Sequence, residues 1–210
     1  MSIRIESLTK KFGDQVLFDG MDLEIKKGGI TALIGGSGCG KTTLLRMICG
    51  LDKDYSGHIL GVPDQKSFLF QEDRLLPWYN VKQNIEFVLK DVMEKEQIET
   101  TVSQIIKDVQ LDGHENKLPS ALSGGMQRRV AMARAFCYPA NLLLMDEPFK
   151  GFDLKLNLEL IALFQKLYAG SGKTVILVAH ETELIDRLEN CTVIDVEAFS
   201  RTKLNSRALT

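Results

Sequence analysis

The chain has 210 residues, 44% hydrophobic and 26% charged, and its 26 basic against 28 acidic side chains leave a net charge of −2. Such a chain is neither disordered nor dependent on disulfides or metals for a core, and it fits one compact domain carrying an inserted lobe. It offers no global basic field for nucleic acid, and no apolar run reaches the ~20 residues that span a bilayer.

Along the chain, Ile3 and Ile5, then Met21, Leu23 and Ile25, alternate with polar residues, the period of a half-buried antiparallel sheet. Ile30 to Ile34 is instead an apolar, β-rich run bracketed by glycines, as expected of a strand buried on both faces of a parallel sheet. Phe68 to Phe70, Leu142 to Met145, Thr174 to Ala179 and Cys191 to Val196 are further strand candidates, separated by helical patterns. The middle differs. Val81, Ile85, Val88 and Val92, then Ile98, Val102, Ile105 and Val109, recur at helical spacing without a strand between them, which predicts an inserted helical lobe. Asp-Gly and Leu-Pro mark residues 111–120 as a loop, and the tail after Ala198 is too polar to pack firmly. The four cysteines (Cys39, Cys49, Cys137 and Cys191) lack metal-ligand spacing and read as free thiols of a reducing compartment. The first residues interleave charges with apolar side chains and form no signal core, so a cytoplasmic setting is expected.

Chemistry first appears at Gly35-Gly36-Ser37-Gly38-Cys39-Gly40-Lys41-Thr42, which satisfies GxxxxGK[ST] between a buried strand and a helix predicted from Lys41 to about Cys49. Glycines let backbone N–H groups converge on phosphate oxygens at a helix N-terminus. Lys41 is then the cation for the β- and γ-phosphates, and the Thr42 hydroxyl a Mg²⁺ ligand. Cys39, beside Lys41 and that helix end, is expected to favour its thiolate. A second GKT, Gly172-Lys173-Thr174, lacks the first glycine and runs helix-turn-strand, so it reads as a helix stop.

Leu142 to Met145 runs into Asp146-Glu147, placing two carboxylates at the carboxyl end of a buried strand, where open α/β sheets bind ligands. Asp146 is a candidate to support the metal and Glu147 to polarise an attacking water. His180 ends the next strong strand in the same way and could orient that water. Gln71 closes the strand ending at Phe70, and its amide oxygen could contact the metal where the helical lobe begins. Ser123-Gly124-Gly125 precedes a helical run from Met126 to Phe136, a second phosphate-binding helix N-terminus.

Together these motifs resemble the ATP-binding subunit of ABC transporters, from about Ile3 to Val196. The resemblance implies a P-loop NTPase (RecA-like) α/β core with a mostly parallel sheet, an N-terminal antiparallel β subdomain and an inserted α-helical lobe. On that scheme residues 1–72 and 138–198 form the core, 73–137 the lobe with the signature, and 199–210 a tail. It implies that Phe12 stacks on adenine, that Gly35 to Thr43 is the Walker A loop, and that Gln71 belongs to the Q-loop. Ser123, Gly124 and Gly125 would be signature donors acting on the nucleotide of a second copy. Asp146 would be the Walker B aspartate, Glu147 the catalytic glutamate, His180 the switch histidine and Asp153 the D-loop aspartate. The chain departs at Lys150-Gly151-Phe152, where the family commonly has Ser-Ala-Leu, and Met126 replaces a frequent glutamine. Phe70 to Trp78 is similar to importer ATPases for nitrate, aliphatic sulfonates, taurine and thiamine-precursor pyrimidines. The implied cofactors are ATP and Mg²⁺. The implied partners are a second copy in the ATP-bound state, membrane permease subunits on the inner face of the cell membrane and, indirectly, a solute-binding protein. The rival class, a soluble ABC-type ATPase acting on nucleic acid or ribosomes, usually has two ATPase units or a long coiled-coil insert, and this sequence has neither.

Overall fold

The computed structural model of the chain describes residues 2–179 and 182–200. Strands β1 (Ser2–Phe12) and β2 (Gln15–Lys26) form an antiparallel pair with Ile3 opposite Ile25 and Ile5 opposite Leu23. Their alternation buries Ile3, Ile5, Met21 and Ile25 on one face. A strand that periodicity does not reveal, β4 (Ser56–Leu60), pairs with the other side of β1 to complete a three-stranded sheet. Ser56, His58 and Leu60 are exposed and only Gly57 and Ile59 turn inward, so this edge strand carries almost no apolar signal.

The second sheet is parallel throughout, in the order β5 (Lys66–Leu69), β6 (Leu142–Asp146), β7 (Thr174–Val178), β3 (Ile30–Ile34), β8 (Cys191–Asp195). Every residue of β6 and β7 is buried, as strands covered on both faces must be. Leu142, Leu144, Ile176 and Val178 face an apolar cluster shared with the antiparallel sheet and helix α1 (Lys41–Cys49). Leu143, Met145, Val175 and Leu177 face a second cluster, built by α2 (Val81–Phe87), α3 (Lys95–Asp108), α4 (Gly124–Cys137) and α5 (Leu154–Tyr168). A short helix, α6 (Thr182–Ile185), leads toward β8.

The helix expected to reach Val92 stops at Phe87. Its start is firm, since Asn80 and Gln83 form a reciprocal capping box. Beyond Phe87 the chain continues in turns (Leu89 N–H to Glu86 O, Val92 and Met93 N–H to Leu89 O), which still deliver Leu89 to the core. Apolar spacing survives there without a continuous helix.

The turn carrying the second GKT lies at the amino end of β7. Lys173 is buried and its ammonium donates to Tyr138 O at 2.9 Å and Ala140 O at 2.6 Å, while Gly28 N–H donates to the Thr174 hydroxyl at 2.9 Å. These residues fasten the sheet rather than open it. Among the described residues, no helix is long and apolar enough to cross a membrane.

Candidate functional site

Because the strands are parallel, β3 and β6 end on the same edge of the sheet, with β7 between them. The loop after β3 turns into α1 at Gly40, which adopts φ 103° and whose carbonyl accepts from Leu44 N–H at 2.8 Å. A Cβ at Gly40 would sit 2.5 Å from Phe18 Cζ, so both the conformation and the packing call for glycine. Lys41 is buried and its ammonium donates to Gly35 O at 2.8 Å and Gly36 O at 3.0 Å, which curls the loop around it. At the start of the loop, Gly36 N–H donates to the Glu197 carboxylate at 2.9 Å.

The Thr42 hydroxyl reaches over β7 and donates to Asp146 Oδ1 at 2.9 Å, joining the phosphate-loop helix to the end of β6. Burial raises the Asp146 pKa and the neighbouring Glu147 charge raises it further, against the opposing Thr42 hydrogen bond. Glu147 follows with φ 47°, its N–H donating to Val178 O at 3.1 Å, and its carboxylate is met by the ammonium of Lys150.

Phe12, Ser37, Gly38, Gly40, Lys41, Thr42, Thr43 and Glu147 line one open cleft of about 480 Å³, together with Gln15, Leu17 and Lys150. That volume lies within the range of small-molecule sites. Phe12 stands at it half exposed, with Lys10 Nζ 4.8 Å from its ring centroid. Of the expected nucleotide residues, Gly35, Gly36, Cys39 and Gln71 do not line it.

Cys39 corrects an expectation. Its side chain turns into the apolar cluster beneath the loop, 4% exposed, and burial pushes the thiol pKa up more than the nearby Lys41 charge lowers it. The motif fixes the backbone path but not which way its variable side chains point.

Ser123, Gly124 and Gly125 form the N-terminus of α4 away from that cleft. The exposed Ser123 caps the helix, accepting from Met126 N–H at 3.3 Å, and Gly125 lies against Leu156. Asp153 caps α5, its carboxylate accepting from Leu156 N–H at 2.8 Å. The residue that ties these parts together was not singled out by its sequence. Arg128 of α4 is fully buried; it donates to Phe70 O at 2.9 Å and Gln71 O at 2.8 Å and ion-pairs with Asp73 at 3.0 Å. Burial pulls the Arg128 pKa down and pushes the Asp73 pKa up, each partly opposed by the partner's charge. Only the apolar surroundings of α4 hint at such a role, since the carbonyls it holds lie 58 and 57 residues earlier in the chain. His180 lies outside the described residues.

The profile of the ABC transporter family matches residues 18–150. The chain is 41% identical over 184 residues to the aliphatic sulfonates import ATP-binding protein SsuB 1 of Pseudomonas syringae, covering 87% of this chain and 75% of that protein. It is 36% identical to the Fe(3+) ions import ATP-binding protein FbpC of Fusobacterium nucleatum, covering 87% of this chain and 52% of that one. In three dimensions it matches the dimeric post-hydrolysis structure of the ATP-binding cassette MJ0796 bound to ADP and Pi, with a TM-score of 0.77, 27% identity and coverage of 93% and 95%. A phosphate loop bonded to an acidic strand end, on this sheet and with these relatives, places the chain in the ABC transporter family, as one of its ATP-hydrolysing ATP-binding subunits.

Proposed function

We propose that the chain powers import of a small solute through separate membrane permease subunits, hydrolysing ATP in the cleft between β3 and β6. The observation that carries this reading is the Thr42–Asp146 hydrogen bond, which joins the phosphate-binding and acidic elements in one site. Backbone N–H groups from Ser37 to Thr43 receive the phosphates at the α1 N-terminus, and Lys41 exchanges two neutral carbonyls for phosphate oxygens. Phe12 stacks on adenine at the cleft.

The same residues fit a magnesium ion. A hydroxyl and a carboxylate oxygen lie 2.9 Å apart, and the burial that penalises the charged Asp146 is a penalty a divalent cation offsets. Among the described residues, no group of three His, Cys, Asp or Glu could hold a metal unaided, so the ion would need phosphate oxygens among its ligands. Thr42, Asp146 and the Gln71 amide oxygen would hold the ion, which would supply charge neutralisation at the phosphates. Glu147 takes a proton from water as the water oxygen bonds to the γ-phosphorus and the bond to the bridging oxygen breaks, releasing ADP and phosphate. His180 orients that water. Ser123, Gly124 and Gly125 of a second copy close over the γ-phosphate, with Asp153 at the same contact.

The subunit then works as an ATP-bound dimer on the inner face of the membrane, served indirectly by a solute-binding protein. Aliphatic sulfonates, named in similar proteins, are the first solutes to test, followed by nitrate, taurine and thiamine-precursor pyrimidines. Glu147→Gln tests the chemistry: hydrolysis is expected to fall by about 10²-fold or more while ATP binding persists. Near-normal turnover would refute the assignment. ATPase stimulation by solute in the assembled transporter tests the transport reading, and none with any of these solutes would refute the solute class.

A further inference from the structure

Lys150 is a cation to which none of the roles above gives a task. The chain between it and Glu147 is fixed by backbone bonds. Glu147 N–H donates to Val178 O at 3.1 Å, and Lys150 N–H donates back to Glu147 O at 3.2 Å. Glu147 at φ 47° and Gly151 at φ 87° shape this turn, so the ammonium of residue 150 is delivered onto the carboxylate of residue 147. The two side chains are unequally held: that of Glu147 is 8% exposed and that of Lys150 is 50% exposed. The lysine, on its flexible four-carbon stem, is therefore the partner able to move. Both side chains line the same cleft as Lys41 and Thr42.

We propose that Lys150 is a second phosphate-binding lysine, which distinguishes a nucleoside triphosphate from a diphosphate by moving from Glu147 to the terminal phosphate. The proposal rests on reading the cleft as the ATP site. An ammonium is a point charge with three donors, and a terminal phosphate offers it more negative charge and more acceptors than one carboxylate does. A diphosphate ends one phosphate short and leaves the lysine where it is. The exchange also withdraws the Lys150 ammonium from the Glu147 carboxylate when a hydrolysable nucleotide is present. No covalent bond changes; one ion pair replaces another.

The test is calorimetry on the full chain with magnesium and either ADP or the imido analogue of ATP, which keeps the terminal phosphate and resists hydrolysis. Lys150→Met is expected to weaken the imido analogue about five- to tenfold, the scale of one partly exposed charge-assisted contact, and to leave ADP within about twofold. Lys150→Arg should restore most of the loss. Glu147→Gln, which releases the lysine, should tighten the imido analogue, and that gain should shrink by at least about half in the Lys150→Met background, the coupling expected of groups in contact. Unchanged ADP binding shows that the variant is folded. Equal losses for both nucleotides, or no loss for either, would overturn the role of Lys150, and an undiminished Glu147→Gln gain in Lys150→Met would overturn the exchange. A wild-type chain that binds neither nucleotide would instead overturn the cleft reading itself, and Lys150's role with it.

Discussion

Replacing Arg128 by Met keeps the aliphatic length of the side chain and deletes its charge and donors. The deletion leaves Phe70 O, Gln71 O and the carboxylate of Asp73 without their buried partner. Breaking a buried ion pair by removing one member costs about 3–5 kcal/mol. Asp73 is 19% exposed, so water recovers part of its solvation and the lower end applies, about 3 kcal/mol. In a domain of this size that is a fall in Tm of roughly 6–12 °C. Much of the cost is the stranded carboxylate, whose pKa burial already raises. Asp73→Asn added to Arg128→Met should therefore recover about 1–2 kcal/mol, although Asp73→Asn alone should destabilise. Urea unfolding of the two single variants and the double variant supplies the cycle, and hydrogen exchange should show faster opening at residues 70–76. A loss below about 1 kcal/mol in Arg128→Met, or a double variant no more stable than that single one, would refute the reasoning.

Three further outcomes follow from the same geometry. Burial raises the pKa of all four thiols, so at pH 8 the native chain should react with a disulfide reagent far more slowly than the urea-unfolded chain, and fast labelling of Cys39 would contradict its inward orientation. The buried thiol of Cys137 is pushed up to about 12 from an ordinary value of 9.0. Its contribution to stability is thus complete below pH 9 and lost as pH rises toward 12; Cys137→Val should flatten that part of the urea-midpoint profile relative to the wild-type chain, and parallel profiles would count against it. Gly40→Ala forces a Cβ to 2.5 Å from Phe18 Cζ at φ 103°, and should cost about 1–3 kcal/mol in urea unfolding together with a loss of nucleotide affinity in calorimetry.

What could be read in advance depended on how local the determinant is. Ile30 to Thr42 announces strand, loop and helix in one continuous stretch, and the Asp146-Glu147 end of β6 is adjacent to the apolar run that buries it. The half-buried antiparallel character of β1 and β2 was legible because period-two alternation survives when one face is buried, although their register was not. β4 left no such trace, since this edge strand exposes Leu60 and turns a glycine and a single isoleucine inward, which leaves no apolar alternation. Arg128 belongs to the opposite case. Its residue type is ordinary for an exposed helix position, and its partners are set by how β5 and α4 come together in space. Cys39 shows a finer limit, because a backbone motif does not fix the orientation of the one side chain it leaves variable.

The buried ammonium of Lys173 has a mechanical consequence. By holding Tyr138 O and Ala140 O it pins the chain just beyond the last residue of α4 to the amino end of β7. α4 has 14 residues and is therefore about 21 Å long, with Ser123 at the far end. A helix clamped at one end behaves as a lever: a tilt of about 5° about that pivot carries its tip by about 2 Å, given that length. Arg128 sits near the moving end and grips the backbone of Phe70 and Gln71, so a push applied to either of those residues has the long arm of the lever on which to act. The triplet that looks like a misplaced phosphate loop is, in this geometry, the anchor of the carboxyl end of α4, so a tilt of the helix about it would be greatest at the glycines of the far tip.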